Sequence, residues 1–181
     1  TIMTTGLVAI SSMFCSYDDI GSIFIGIKIY LIFRGIKRII VQVFFRDINS
    51  FALSVDHLCI LASIIYAGSL IFFPESISML LYGKVSNEIN IYFLLIAVIV
   101  LISSLTSTAG TKILFLNKDI PYFICYFSSA LVLILFLIIN DFFIFFNQVG
   151  VFVSIILSEL TLLFLFSFIL GFIDFTIYRV Y

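Results

Sequence analysis

Residues 21–46 read GSIFIGIKIYLIFRGIKRIIVQVFFR. The flanks are apolar enough for a membrane helix, and the middle carries Arg34, Lys37 and Arg38. At about 100° per residue, these three cations fall within an arc of roughly 100°. Each charge at bilayer depth costs about 2.5–3.5 kcal/mol on insertion scales, so three on one face are hard to hold against lipid. Two arrangements relieve that cost. In one, the face lines a water-filled cavity inside a bundle and meets an anion there. In the other, the helix lies at the interface and its long side chains reach lipid phosphates. Lys28 falls on the opposite side of the helix by angle and ranks below the other three.

The surrounding chain is of the same character. Of 181 residues, 64% are hydrophobic and 10% charged, against about 45–50% and 25% in a soluble domain. The mean hydropathy is +1.34. These values place the chain among integral membrane proteins of the all-α class, a helical bundle in the lipid bilayer. Net charge is −1 and basic runs are missing, so nucleic-acid binding has no support. Cys15, Cys59 and Cys125 are odd in number and form no CxxC or Cys/His cluster. They read as small buried hydrophobes, with no metal site among them.

Apolar runs predict about six transmembrane helices, at residues 1–16, 21–46, 53–73, 89–116, 121–139 and 149–173, in one transmembrane lobe spanning 1–181. The first is short for a span of about 20 residues, which predicts that the chain is the C-terminal part of a longer protein. Residues 17–21 read as a polar turn, with Asp19 available as a cap for the next helix. Pro74 should end the third segment, and residues 75–88 form a short amphipathic connector with Gly83 suited to a turn. The fourth segment carries Ser103, Ser104, Thr106, Ser107, Thr108, Ala109 and Gly110. Small residues of this kind let helices approach closely in lipid, and close packing is preferred here over a ligand site. Residues 117–121 make a compact loop in which Asp119 caps the fifth segment and Pro121 sits in its first turn. Residues 140–150 read as a loop. Alternate loops fall into two sets. One holds Arg46, Lys118 and Arg179, with Lys112 nearby; the other holds Lys84 among Asp18, Asp19, Glu75, Glu88 and Asp141. The positive-inside rule makes the first set, and the C-terminus, cytoplasmic.

Two further residues carry candidate chemistry. Glu159 sits near the centre of the last segment. A lone acid at that depth either couples transport to a proton or sodium, or pairs with a cation of another helix, or stays protonated. His57 beside Asp56 reads as marking the water boundary of the third segment rather than as a proton shuttle. No Ser-His-Asp, HExxH, Walker or GxGxxG pattern occurs. The chain therefore reads as a non-enzyme without a cofactor.

Several features in order carry a resemblance. Asp19, Ile20 and Gly21 lead into the basic helix, and Phe73–Pro74 ends the next. Leu80, Leu81, Tyr82 and Gly83 then precede a helix. Gly110 and the Asn117–Lys118 loop follow, and Gly150 comes before Glu159 in the final span. The pattern resembles the C-terminal half of the O-antigen flippases, the Wzx-type polysaccharide exporters of the MOP superfamily, which includes the MATE multidrug exporters. The resemblance implies two six-helix lobes around a central cavity and alternating access. It implies transport of an undecaprenyl-diphosphate-linked oligosaccharide across the bacterial inner membrane for lipopolysaccharide biosynthesis. Other polysaccharide-assembly proteins are implied as partners. Arg34, Lys37 and Arg38 would then be lumen residues for the diphosphate, and Glu159 the coupling site. The alternatives are a cation-coupled multidrug exporter of the same superfamily and a non-catalytic membrane subunit.

Overall fold

A computed structural model describes residues 17–44, 48–82, 87–143 and 147–178, with side chains over 23–44, 54–80, 90–114, 116–140 and 149–171. Among the described residues there are seven helices and no strand. They are α1 (Tyr17–Val43), α2 (Ile48–Phe72), α3 (Pro74–Tyr82), α4 (Asn87–Ser104), α5 (Ala109–Phe115), α6 (Asp119–Phe143) and α7 (Asn147–Tyr178). Four stretches are long and apolar enough to cross a bilayer: Ser54–Phe72, Asn90–Leu114, Asp119–Asn140 and Val149–Gly171. The chain is an all-α, multi-pass membrane bundle. Its outer surface carries large apolar side chains such as Ile39, Ile65, Phe72, Ile120 and Phe164, each more than 60% exposed. Lipid, unlike water, imposes no penalty on that surface. The first segment, residues 1–16, lies outside the described residues, as do Cys15, Arg46, Lys84 and Arg179.

α1 packs against α2, α4 and α7. Its inward stripe is Ile23, Ile27, Tyr30 and Phe33, all nearly inaccessible. They meet Phe93, Ile96 and Val100 of α4, Ala67 and Leu70 of α2, and Val151, Phe152 and Ile155 of α7 in one core. Gly26 makes the α1–α7 contact possible, since a Cβ there would stand 2.5 Å from Phe152 Cζ. A second, smaller core joins α5, α6 and α7 through Ile113, Cys125, Leu162 and Phe166. Cys59 and Cys125 are free and buried, as small hydrophobes should be.

The helix ends differ from the sequence-based expectation in several places. Helical backbone is already present over Tyr17–Gly21, where a polar turn was expected. Acidic residues in a first turn favour the helix dipole as well as a cap does. α2 begins at Ile48, ahead of the expected 53. α2 ends at Phe72 and Pro74 opens α3, because the first turn of a helix needs no N–H from proline. The expected connector is thus helical, with Ser78 buried and Met79 and Leu80 exposed; Gly83 lies outside the described residues. Residues 140–143 and 147–150 are helical, so the expected loop over 140–150 is helix at both its ends.

The largest departure is in the fourth segment. α4 stops at Ser104, residues 105–108 form a turn, and α5 restarts at Ala109. Around the break, backbone and side chains bond three residues back: Leu105 N to Ile102 O and Ser107 N to Ser104 O, with hydroxyls of Ser104, Thr106 and Ser107 donating to the carbonyls of Leu101, Ser103 and Ser104. Such local bonds compete with the α-helical ladder. α5 ends in a Schellman turn, in which Lys118 N bonds Ile113 O and Asn117 N bonds Leu114 O. Asn117 takes the left-handed conformation there, with φ 53°. Asp119 lies inside the first turn of α6 rather than capping it.

Candidate functional site

The inward stripe of α1 advances by four and three residues: 23, 27, 30, 34, 37. Its first members are apolar and its last two are Arg34 and Lys37. The packing that buries Ile23 and Ile27 therefore carries two cations into the bundle. They reach a cavity of about 120 Å³ lined also by Thr106, Ser107, Gly110, Thr111, Leu114, Tyr122, Tyr126, Glu159 and Leu162. At about 30 Å³ per water, it has room for roughly four waters or one compact polar group.

Lys37 is anchored. Its Nζ donates to Ser103 O and to Ser103 Oγ, each at 2.7 Å. This ammonium sits at the C-terminal end of α4, where the last carbonyls lack helical partners and the dipole favours a positive charge. Arg34 is held differently. Its guanidinium lies 5.6 Å from the centroid of the Tyr30 ring, and no hydrogen bond ties it to a described residue. Its planar fork thus remains available to a ligand.

Glu159 projects from α7 into the same space and is only 6% exposed. Tyr30 Oη donates to its Oε1. Among the described residues, no cation pairs with it within 4 Å; the one such pair is Lys112 with Asp56, 3.6 Å apart. The carboxyl is satisfied by a phenol while facing two cations across the cavity. Of the readings open to an acid at this depth, a direct ion pair is the one the geometry leaves out.

The third cation of the basic segment does not join them. Arg38 is exposed and lies outside the cavity lining. It stands within 40° of Arg34 by ideal helical angle, but the packed stripe repeats every 3.5 residues and drifts away from it. The small-polar stretch also does more than allow close packing. Ser63 of α2 meets Ser104 at 3.1 Å, as close packing predicts, yet Thr106, Ser107, Gly110 and Thr111 line the cavity.

Asp56 fixes the break that brings them there. Both its carboxylate oxygens accept from Thr108 Oγ1 at 2.7 Å, and Oδ1 accepts from Thr108 N at 3.2 Å. It performs in trans the task of a capping-box acid, satisfying the N–H of the residue that begins a helix. His57 is exposed beside it, as a residue at the water boundary should be.

Sequence reasoning missed Tyr30, Tyr122 and Tyr126. A signal existed for the first, because Tyr30 precedes Arg34 by four residues and Lys37 by seven, on one helical face. Tyr122 and Tyr126 are one turn apart on α6, with ring centroids 4.7 Å apart. Gly110 lets them close over the cavity, since a Cβ there would be 3.1 Å from Tyr122. Two cations, one acid and a ring of hydroxyls and phenols can hold a compact anion away from lipid. No known protein family matches this chain, and neither curated proteins nor solved structures provide a significant relative.

Proposed function

We propose that this bundle is one lobe of a flippase that moves an undecaprenyl-diphosphate-linked oligosaccharide across the bacterial inner membrane. The observation that supports it is the convergence of Arg34, Lys37 and Glu159 on one cavity within a membrane bundle. Fixed cations at bilayer depth are costly and mark the path of an anion. A diphosphate headgroup is such an anion, and both a guanidinium fork and an ammonium bind it. The cavity volume suits the headgroup's phosphate alone, so the sugars would lie beyond it, toward the lumen shared with a second lobe. Arg34 and Lys37 are the phosphate-binding pair in this reading, and Glu159 is the ion-coupling residue. The C-terminus is cytoplasmic, by the basic loops.

The broken α4–α5 segment supports a transporter on independent grounds. Interrupted helices with free backbone ends at membrane depth recur where substrates and ions bind. A multidrug exporter of the same superfamily is less well served, because a cationic drug would meet Arg34 and Lys37 as well as Glu159.

The test is surface polysaccharide display in cells that depend on this protein. The double variant Arg34→Gln, Lys37→Gln should lose display by at least tenfold while its membrane level stays near wild type, whereas Arg38→Gln should display normally. Normal display by the double variant refutes the assignment.

A further inference from the structure

We propose that the cavity takes up its anion together with a proton, the proton binding at Glu159 and the anion being a dianion of the phosphate or diphosphate class. This deepens the anion-binding reading above and rests on it.

Charge and geometry both lead there. With Glu159 ionised, two cations and one carboxylate leave the cavity with a single positive charge. With Glu159 protonated, Arg34 and Lys37 present two, which matches a dianion. An ionised Glu159 would instead face the incoming anion across the same few waters, and like charges there repel with little screening.

Protonation disturbs nothing already built. No described cation pairs with Glu159 within 4 Å, so no ion pair breaks. The Tyr30 Oη that donates to Oε1 keeps a carbonyl acceptor when the acid is neutral. Lys37 stays bound to Ser103.

The other groups around the cavity are of few kinds. α1 presents Tyr30, Arg34 and Lys37; α6 presents Tyr122 and Tyr126; α4, the turn and α5 present hydroxyls of Ser103, Thr106, Ser107 and Thr111. Behind Lys37, α2 places Cys59 and Asp56. Asp56 is engaged by Thr108 and Lys112. Glu159 is therefore the only carboxyl lining the cavity among the described residues. Anion binding and proton binding must then strengthen each other by the same factor.

The experiment measures sulfate binding to the full protein in lipid nanodiscs by calorimetry, between about pH 5 and pH 6.5. Sulfate keeps its double charge over that range. The wild type should lose affinity with rising pH, approaching tenfold per pH unit once Glu159 ionises. Glu159→Gln, whose amide still accepts from Tyr30, should lose most of that dependence over the same range. Binding that is independent of pH in the wild type, or an unchanged slope in Glu159→Gln, overturns the linkage and leaves the anion site standing. No sulfate binding at any pH overturns the anion site and the linkage together. Should the variant misfold, the wild type alone decides the matter: sulfate added in weak buffer must draw up to one proton from solution per anion bound. Absence of uptake overturns the proposal. At fixed pH, displacement of sulfate by a short prenyl diphosphate at concentrations where inorganic phosphate has no effect supports a lipid-borne anion. Equal displacement by the two overturns the lipid-linked substrate.

Discussion

Lys37 and Arg34 are neighbours in the cavity with different obligations. Lys37 closes the end of α4 through Ser103, so its removal takes a charged donor from Ser103 Oγ and from Ser103 O, which keeps Thr106 Oγ1, at about 1–3 kcal/mol. Arg34 stacks on Tyr30 and supports no backbone. A half-buried cation without an ion pair is a burden to stability, so removing it relieves the fold. Lys37→Met should therefore lower the melting temperature in detergent by several degrees, at about 2–4 °C per kcal/mol for a chain of this size. Arg34→Met should leave it unchanged or raise it. Both variants should weaken anion binding. Equal melting temperatures for the two variants would show that the Ser103 contacts carry no weight.

At the scale of the element, the break between α4 and α5 depends on α2. Asp56 holds Thr108 from 52 residues away, and the segment's own hydroxyls bond locally without restoring the ladder. Asp56→Ala should free the start of α5, a capping loss of about 1 kcal/mol. Amide hydrogen exchange over residues 107–111 should rise roughly fivefold, with Asp56→Asn closer to wild type because its amide oxygen still accepts. Unchanged exchange in Asp56→Ala would refute the clamp. This element also shows where the sequence stops being informative. Residues 89–116 are continuous in hydropathy, and the turn at 105–108 contains neither glycine nor proline. What interrupts the helix is a partner on another helix, which no local pattern reveals. The apolar runs, the Pro74 boundary and the buried cysteines were legible because each depends on local composition. Of the three cations that angle alone groups on one face, Arg34 and Lys37 line the cavity. Arg38 was misplaced because packing, not ideal geometry, sets which stripe faces inward.

For the whole molecule, charge and span length together predict the direction of a crossing. The run Asn90–Leu114 has 25 residues and is long and apolar enough to cross a hydrocarbon core of about 30 Å. Exposed Glu75 precedes that run, and exposed Lys118 follows it. The two must therefore lie on opposite sides of the bilayer. Lys118 belongs with Lys112 and the basic loops, and Glu75 with the acidic ones, so the positive-inside rule predicts Lys118 on the cytoplasmic side. The cavity lies toward the Lys118 end of the segment, because Lys37 meets Ser103 and Asp56 meets Thr108, both nearer to Lys118 than to Glu75 along the chain; that end is the inner one in the predicted orientation. Lys118→Cys and Glu75→Cys, made with the three native cysteines replaced, test this with a membrane-impermeant maleimide. Lys118→Cys should react in inverted vesicles and not in intact spheroplasts, and Glu75→Cys should do the reverse. Labelling of both from one side would break the single crossing between them. The opposite pattern would invert the molecule, and would turn the cavity's inner end toward the side from which a flippase releases its substrate rather than collects it.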